Sequence, residues 1–246
     1  MFTSSRRLAA ILTVVLASAA TAQISVTTSD TTEQERSEFA RRSSGSITFI
    51  QSRPQGAFRQ NIGFGYGADA AYLIRLDDAG VWSIRANVGV LAYGSESKRT
   101  PLSESVGGRV QVDVTTTNYI IPMSIGPQLG WPTGRFRPYV NAGIGGQAFV
   151  TESHVDGADD WAPFASTTNH SAFAALWAVG GGVYMPVYEG TAKVEVDMGL
   201  QYLSGARASY LARGSIVDLP GAQIRVTPLE STTHQVIARV GLRVRL

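Results

Sequence analysis

From Gly45 to Leu246 the chain alternates apolar and polar or small residues with a period of two, and this pattern limits the fold more than any other feature. In "VIARVGLRVRL", Val236, Ala238, Val240, Leu242, Val244 and Leu246 form one set, and Ile237, Arg239, Gly241, Arg243 and Arg245 the other. On a helix the arginines would encircle the axis. On a strand they share one face. "NIGFGYGADAAYLIRL" repeats the pattern, with Ile62, Phe64, Tyr66, Ala68, Ala70, Tyr72, Ile74 and Leu76 opposing a set of glycines with Asn61, Asp69 and Arg75. After the tight turn "DDAG", Trp82, Ile84, Ala86, Val88 and Val90 oppose Ser83, Arg85, Asn87 and Gly89.

Long strands continue over 109–129, 137–150, 172–187, 191–203 and the terminal segment, which with "GSITFIQ" makes about eight. The connections alternate strictly. Polar stretches at 94–108, 151–171 and 204–235 are long, whereas "DDAG", "WPTGRF" and "YEG" are short. Consecutive antiparallel strands put alternate connections at opposite ends, so the long loops gather at one end and the tight turns at the other. This predicts an all-β, eight-stranded antiparallel up-and-down transmembrane β-barrel with short periplasmic turns and long outer loops. The strands run about 10 to 16 residues or more, where about 9 to 11 cross a bilayer when tilted.

Composition supports export and removes several chemistries. "MFTSSRRLAAILTVVLASAATAQ" has basic Arg6 and Arg7, an apolar run from Leu8 to Ala19, and a small-residue cleavage site at Ala20-Thr21-Ala22, so residues 1–22 read as a signal peptide. Residues 23–44 read as a polar periplasmic tail, with one helical turn around Glu33 to Arg41, and 45–246 as the barrel. No later stretch is long and apolar enough for a transmembrane helix. The chain has no cysteine, which excludes disulfides, thiolate metal sites and cysteine nucleophiles. A formal charge of +2 gives no field for nucleic acid.

A soluble lipocalin-like barrel would alternate as well, with its apolar set inward around a ligand. Three features favour the outward arrangement. Trp82, Trp131, Phe136 and Tyr188 lie at the tight turns. Tyr93, Phe149, Phe173 and Tyr202 lie next to the long loops. Two aromatic bands about an aliphatic waist match two lipid–water interfaces, so all eight are expected at the membrane interface. The opposite set combines glycines with Asp69, Arg85, Glu195, Asp197, Arg239 and Arg243, which fits a narrow polar interior. Neighbouring terminal strands bring Glu195 near Arg243 and Asp197 near Arg239, and both pairs are expected as interior salt bridges. Lastly, an apolar terminal strand is an aggregation hazard unless it pairs with the first strand in a closed ring.

At this point the chain resembles the small OmpA/OmpX-type outer-membrane barrels, through "NIGFGYGADAAYLIRL", "NYIIPMSIGPQLG", "FRPYVNAGIGG", "WAVGGGVYMPV", "VEVDMGLQYL" and the terminal strand. The resemblance implies that the last strand, with Val240, Leu242, Val244 and Leu246, acts as the signal for the outer-membrane insertion machinery. In that family it usually closes on an aromatic residue; here it closes on Leu246. No peptidoglycan-binding domain follows, so the anchoring role of the two-domain members does not carry over.

Catalytic groups are sparse. His154, His170 and His234 are the only histidines, and all fall in or beside the long loops. Some barrels resembling this one act on lipid A through a His/Ser pair, and His154 with Ser153, His170 with Ser171, or His234 with Ser231 would be the candidates. Adjacent strand residues face opposite ways, which argues against the first two. "ESHVDGADDW" carries Glu152, Asp156, Asp159 and Asp160, which do not match the spacing of a calcium loop and read as a solvated acidic loop. Gly180-Gly181-Gly182 precedes no helix and is not a phosphate loop. The expectation is therefore a non-enzymatic, monomeric outer-membrane barrel of a Gram-negative-type bacterium. It has a filled lumen and no cofactor or metal. Its partners would be lipid, lipopolysaccharide, the insertion machinery and an extracellular ligand at its loops. A narrow pore or apolar-solute conduit is the alternative, and a lipid-modifying enzyme the third reading.

Overall fold

The alternation closes into a ring. The computed structural model describes residues 42–101, 111–156, 163–190, 192–219 and 223–245. Eight antiparallel strands form a closed barrel: β1 (Ser43–Pro54), β2 (Gly65–Arg75), β3 (Trp82–Pro101), β4 (Gln111–Gly130), β5 (Arg137–Asp156), β6 (Pro163–Glu189), β7 (Lys193–Gly205) and β12 (Gln235–Arg245). Each strand pairs with its neighbour in the chain, and β12 closes the ring on β1 with Phe49 opposite Val240. The proposed signal peptide and most of the polar tail lie outside the described residues; β1 begins at Ser43, two residues earlier than the alternation alone indicates.

The pleat sorts the two sets. On the outer wall every strand exposes apolar side chains: Phe49 on β1, Tyr72 on β2, Val88 on β3, Ile125 on β4, Ile144 on β5 and Val179 on β6, followed by Leu200 on β7 and Leu242 on β12. A belt of this kind around a whole ring exceeds what a water-soluble monomer exposes, and it has the form of a lipid-facing surface. On the opposite face of the same strands lie Ser46, Thr48, Arg85, Gln128, Asn141 and Glu195, all buried.

The tight turns sit together at one end. In the turn after β2, Gly80 adopts φ 73, a left-handed conformation that a glycine takes without a Cβ penalty. Asp77 secures this turn by accepting hydrogen bonds from the backbone N–H of Val81 (3.2 Å) and of Trp82 (2.8 Å).

The other end is more elaborate than the alternation implies. β3 to β6 run 20 to 27 residues; β3, β5 and β6 continue past the belt where the sequence reads as polar loop, alongside β4, which matches the strand read over 109–129. Between β1 and β2 the chain forms a short helix, α1 (Gly56–Asn61), instead of a plain loop. Between β7 and β12 lie four short strands, β8 (Arg207–Tyr210), β9 (Ile216–Leu219), β10 (Gln223–Val226) and β11 (Leu229–Thr232). They form two hairpin-like pairs, β8 with β11 and β9 with β10. The strand-like "IRVTPLE" is thus split at Thr227-Pro228, where proline can supply no ladder N–H.

Candidate functional site

The interior holds two layers of different chemistry. Nearest the tight turns is an ionic layer around Glu195, a fully buried residue of β7. Antiparallel register sets Arg243 of β12 directly opposite it. Three guanidinium groups converge on its carboxylate: Arg243 at 3.4 Å, Arg245 at 2.9 Å, and Arg137 from β5 across the lumen at hydrogen-bond distance. Arg243 also lies over the ring of Tyr184 at 4.3 Å and donates to Ser44 Oγ.

Above this lies a second group. Tyr139 donates its hydroxyl hydrogen to Asp197 Oδ1 (2.7 Å) and stacks on Tyr184 with ring centroids 4.4 Å apart. A Cβ at Gly182 would come within 2.6 Å of the Tyr139 hydroxyl oxygen, so a glycine there leaves the room that this ring occupies. Arg85 donates to Tyr184 (3.0 Å), to Gln128 Oε1 and to Asn87 Oδ1 (2.9 Å), and Asn87 in turn donates to Asp69 Oδ1 (3.1 Å). Asp69, Arg85, Glu195, Asp197, Arg239 and Arg243 all project into the lumen.

One expected pair forms differently. Arg239 stands opposite Gly199, not Asp197, and donates to Gln201 Oε1 at 2.5 Å. Asp197 instead faces across the lumen to Arg85, at 3.9 Å. Neighbouring strands supply only part of the pairing, because in a narrow barrel a side chain reaches strands that are not adjacent to its own.

Nearest the loops the lumen is apolar. Ile50, Leu91, Ile120, Leu176, Leu203 and Ile237 point inward and are buried. α1 lowers Phe58 into this layer, where its ring meets Tyr210 edge-on at 5.0 Å and Phe149 edge-on at 6.0 Å. Ile62, expected on the outer face, is buried here because the exit from α1 turns it inward. Asn61 ties the plug down by donating to the Tyr210 hydroxyl oxygen at 2.7 Å. Between the two layers remains a cavity of about 20 Å³, bordered by Asp69, Asn87, Gln201 and Arg239.

Two aromatics expected at the membrane interface are inside. Phe149 is only 1% exposed and packs on Phe58, and Tyr93 is 8% exposed and donates its hydroxyl hydrogen to the Leu211 carbonyl at 2.8 Å. Both have the interior parity of their strands, Phe149 with Gly143 and Gly145, Tyr93 with Arg85 and Gly89. The alternation outranks nearness to a loop. Trp82, Trp131, Phe136 and Tyr188 are exposed near the tight turns, with Trp131 at the lumen mouth beside Arg137, and Phe173 is exposed nearer the loops. Tyr202 is half-buried, between Trp177 and His234.

The histidines are dispersed. His170 Nε2 contacts the Ser209 carbonyl at 3.1 Å, and His234 Nδ1 contacts Ser204 Oγ at 3.1 Å instead of Ser231, whose hydroxyl pairs with Tyr210. Among the described residues no carboxylate is hydrogen-bonded to His234, and no group of three or more acidic, histidine or cysteine side chains is placed to hold a metal. Asp159 and Asp160 of the acidic loop lie outside the described residues. On the raised wall, Arg99 donates two hydrogen bonds to Asp113, at 3.0 and 3.3 Å, and holds that carboxyl below the usual carboxylate range.

The ring of eight antiparallel strands, with its apolar belt outside and its ionic and aromatic filling inside, defines the class: an eight-stranded transmembrane β-barrel. No family model matches the chain, and no curated protein is similar to it. Similar solved structures include Neisserial surface protein A (11% identity, 83% of this chain and 97% of that chain covered, TM-score 0.44). Others are the attachment invasion locus protein Ail of Yersinia pestis (14%, 82% and 97%, 0.37) and a major outer membrane protein from Thermus thermophilus (11%, 82% and 99%, 0.40). These overlaps are loose, and the class rests on the strand register and the sorting of side chains.

Proposed function

We propose that the chain is an integral outer-membrane protein whose barrel is a closed support and whose loop end is an interaction surface. In this reading the tight turns face the periplasm, residues 1–22 direct export, and the outward Val240, Leu242 and Val244 of β12 present the insertion signal. The protein acts as a monomer in contact with lipid and lipopolysaccharide, and its ligand comes from outside the cell.

One observation carries the reading. The lumen is obstructed twice in series, by the ionic layer around Glu195 and Asp197 and by the aromatic plug of Phe58, Phe149 and Tyr210. A conduit would need Arg239, Arg243 and Glu195 along a continuous wet path. Arg243 is instead committed to Glu195, and the cavity beside Arg239 has room for little more than a water molecule. An enzymatic reading gains no triad at His234, which has Ser204 beside it and, among the described residues, no carboxylate to fix its ring.

The test is reconstitution of the purified barrel in planar bilayers. Silent membranes, from a preparation that shows heat-dependent gel mobility, are the expected result. Discrete channel events from the parent chain would overturn the reading in favour of a pore.

A further inference from the structure

Beyond the belt, β3 to β6 stand as a raised wall, and the connection from β8 to β9 leans across its inner side. The two enclose a cleft of about 270 Å³, near the lower end of the range for small-molecule sites. The wall lines it with a ladder set by register. Glu96 stands opposite Thr116, Thr116 opposite Ser153, and Ser153 opposite Thr167, so one row of hydrogen-bonding side chains crosses four strands. The sheet spaces such a row at about 4.8 Å per strand. A second row lies one step lower, with Gly94 opposite Asn118. Thr151 donates to Asn118 Oδ1, which leaves the side-chain amide N–H groups of Asn118 beneath Gly94. A Cβ at position 94 would meet that nitrogen at 3.3 Å, so the glycine keeps the donor uncovered.

The other side is apolar. Ala212 and Ile216 face the ladder, with Leu211 buried behind them. Charge is mixed and partly committed: Glu96 accepts from the Gly214 N–H (3.3 Å), Arg213 donates to the Ser95 carbonyl (3.3 Å), and Lys98 on the same wall opposes Glu96 in sign. No single sign dominates to select an ion. The rungs have groups that both donate and accept: Thr116 and Ser153 hydroxyls sit 2.6 Å apart, and the Asn169 amide donates to Ser153 at 2.6 Å.

A rigid polar ladder facing an apolar strip complements a ligand with hydroxyls along its edge and C–H groups on its face. We infer that the cleft binds a neutral saccharide unit, its hydroxyls on Thr116, Asn118, Ser153 and Asn169 and its C–H face on Ala212 and Ile216. This rests on the proposal that the loop end is a recognition surface. The same chemistry occurs in the sugars of lipopolysaccharide and in neutral glycans of other cells.

The full chain, refolded in detergent micelles, is titrated by saturation-transfer NMR with methyl glucoside, N-acetylglucosamine and maltose. Saturable transfer to at least one is expected. Thr116→Val removes one rung and is expected to weaken that binding about tenfold, while Gly94→Leu covers the Asn118 amide and is expected to abolish it. Both variants must keep the heat-dependent mobility of a folded barrel; Asn169→Ala at the cleft rim replaces either one that does not. Lipid-free core oligosaccharide and an array of neutral glycans then separate the two sources, and binding to either supports the inference. Three outcomes overturn it: no transfer to any neutral probe, unchanged binding in Gly94→Leu, or preference for sulfated maltose over maltose. Failure here with silent bilayers removes the saccharide and leaves the sealed support standing, whereas channel events remove the support reading itself.

Discussion

Arg85 and Asp197, on strands that do not touch, face each other across the lumen at 3.9 Å with both side chains sealed from solvent. Removing one partner strands the other charge in a low-dielectric interior, which typically costs about 3 to 5 kcal/mol. Asp197→Ala is therefore expected to shift urea unfolding, followed by gel mobility, by that amount. Arg85→Met with Asp197→Leu is expected to cost clearly less than the sum of the two single changes. Strict additivity would show that the pair does not interact.

The two obstructions of the lumen also make separable predictions. Phe58→Ala deletes the ring that meets Tyr210 and Phe149 and is expected to cost about 3 to 5 kcal/mol. It leaves the ionic layer in place, so bilayers with this variant stay silent. Phe58→Ala combined with Arg85→Ser and Arg243→Ser opens the plug and both clusters of the ionic layer, and is expected to give channel events. Conduction by Phe58→Ala alone would show that the ionic layer is no barrier.

These layers are unequally visible in the sequence. The ring, the alternation and the position of Arg243 opposite Glu195 follow from the period of two and from connection lengths, because lipid and a polar lumen impose opposite demands on successive residues. The apolar upper lumen is hidden. Leu91 and Ile237 lie between residues that are apolar for another reason, so facing inward leaves no contrast to read. α1 is hidden as well, since its six residues lack a side-chain cap and are held by tertiary packing of Phe58. The Arg85–Asp197 contact depends on which strands face each other across the barrel. The cleft on the raised wall has the quietest signal: its serines, threonines and asparagines fall in segments that read as loop, except Thr116 and Asn118 of the strand read over 109–129.

On that wall, Arg99 and Asp113 are exposed and joined by two hydrogen bonds. Arg99's hydrogen bonds lower the Asp113 carboxyl below its ordinary value of 3.8. Because the folded value is the depressed one, the pair's contribution is present above pH 3.8 and is lost as pH falls through the lower folded value. A carboxyl-carbon NMR titration is expected to give an Asp113 midpoint below 3.8 in the parent chain, returning towards it in Arg99→Gln. A midpoint that ignores the substitution would show that the hydrogen bonds do not form in solution.

The outward direction of the belt is tested by its tryptophans. Trp82, Trp131 and Trp177 are 49%, 70% and 50% exposed, with Trp82 and Trp131 beside tight turns and Trp177 on β6 directly opposite the outward Ile144 of β5. In liposomes, a brominated acyl chain quenches indole fluorescence only on contact, so chains with three of the four tryptophans replaced by Phe report one position each. Bromine close to the headgroup is expected to quench Trp82 more strongly than bromine at the chain end, since interfacial rings sit at headgroup level. A new reporter at Ile144, through Ile144→Trp in a chain lacking the other tryptophans, occupies the aliphatic waist and is expected to show the reverse order. Phe149→Trp, inside the plug, is expected to respond to neither. Equal quenching at Ile144→Trp and Phe149→Trp would mean that both faces of β5 meet hydrocarbon, which the register of that strand forbids.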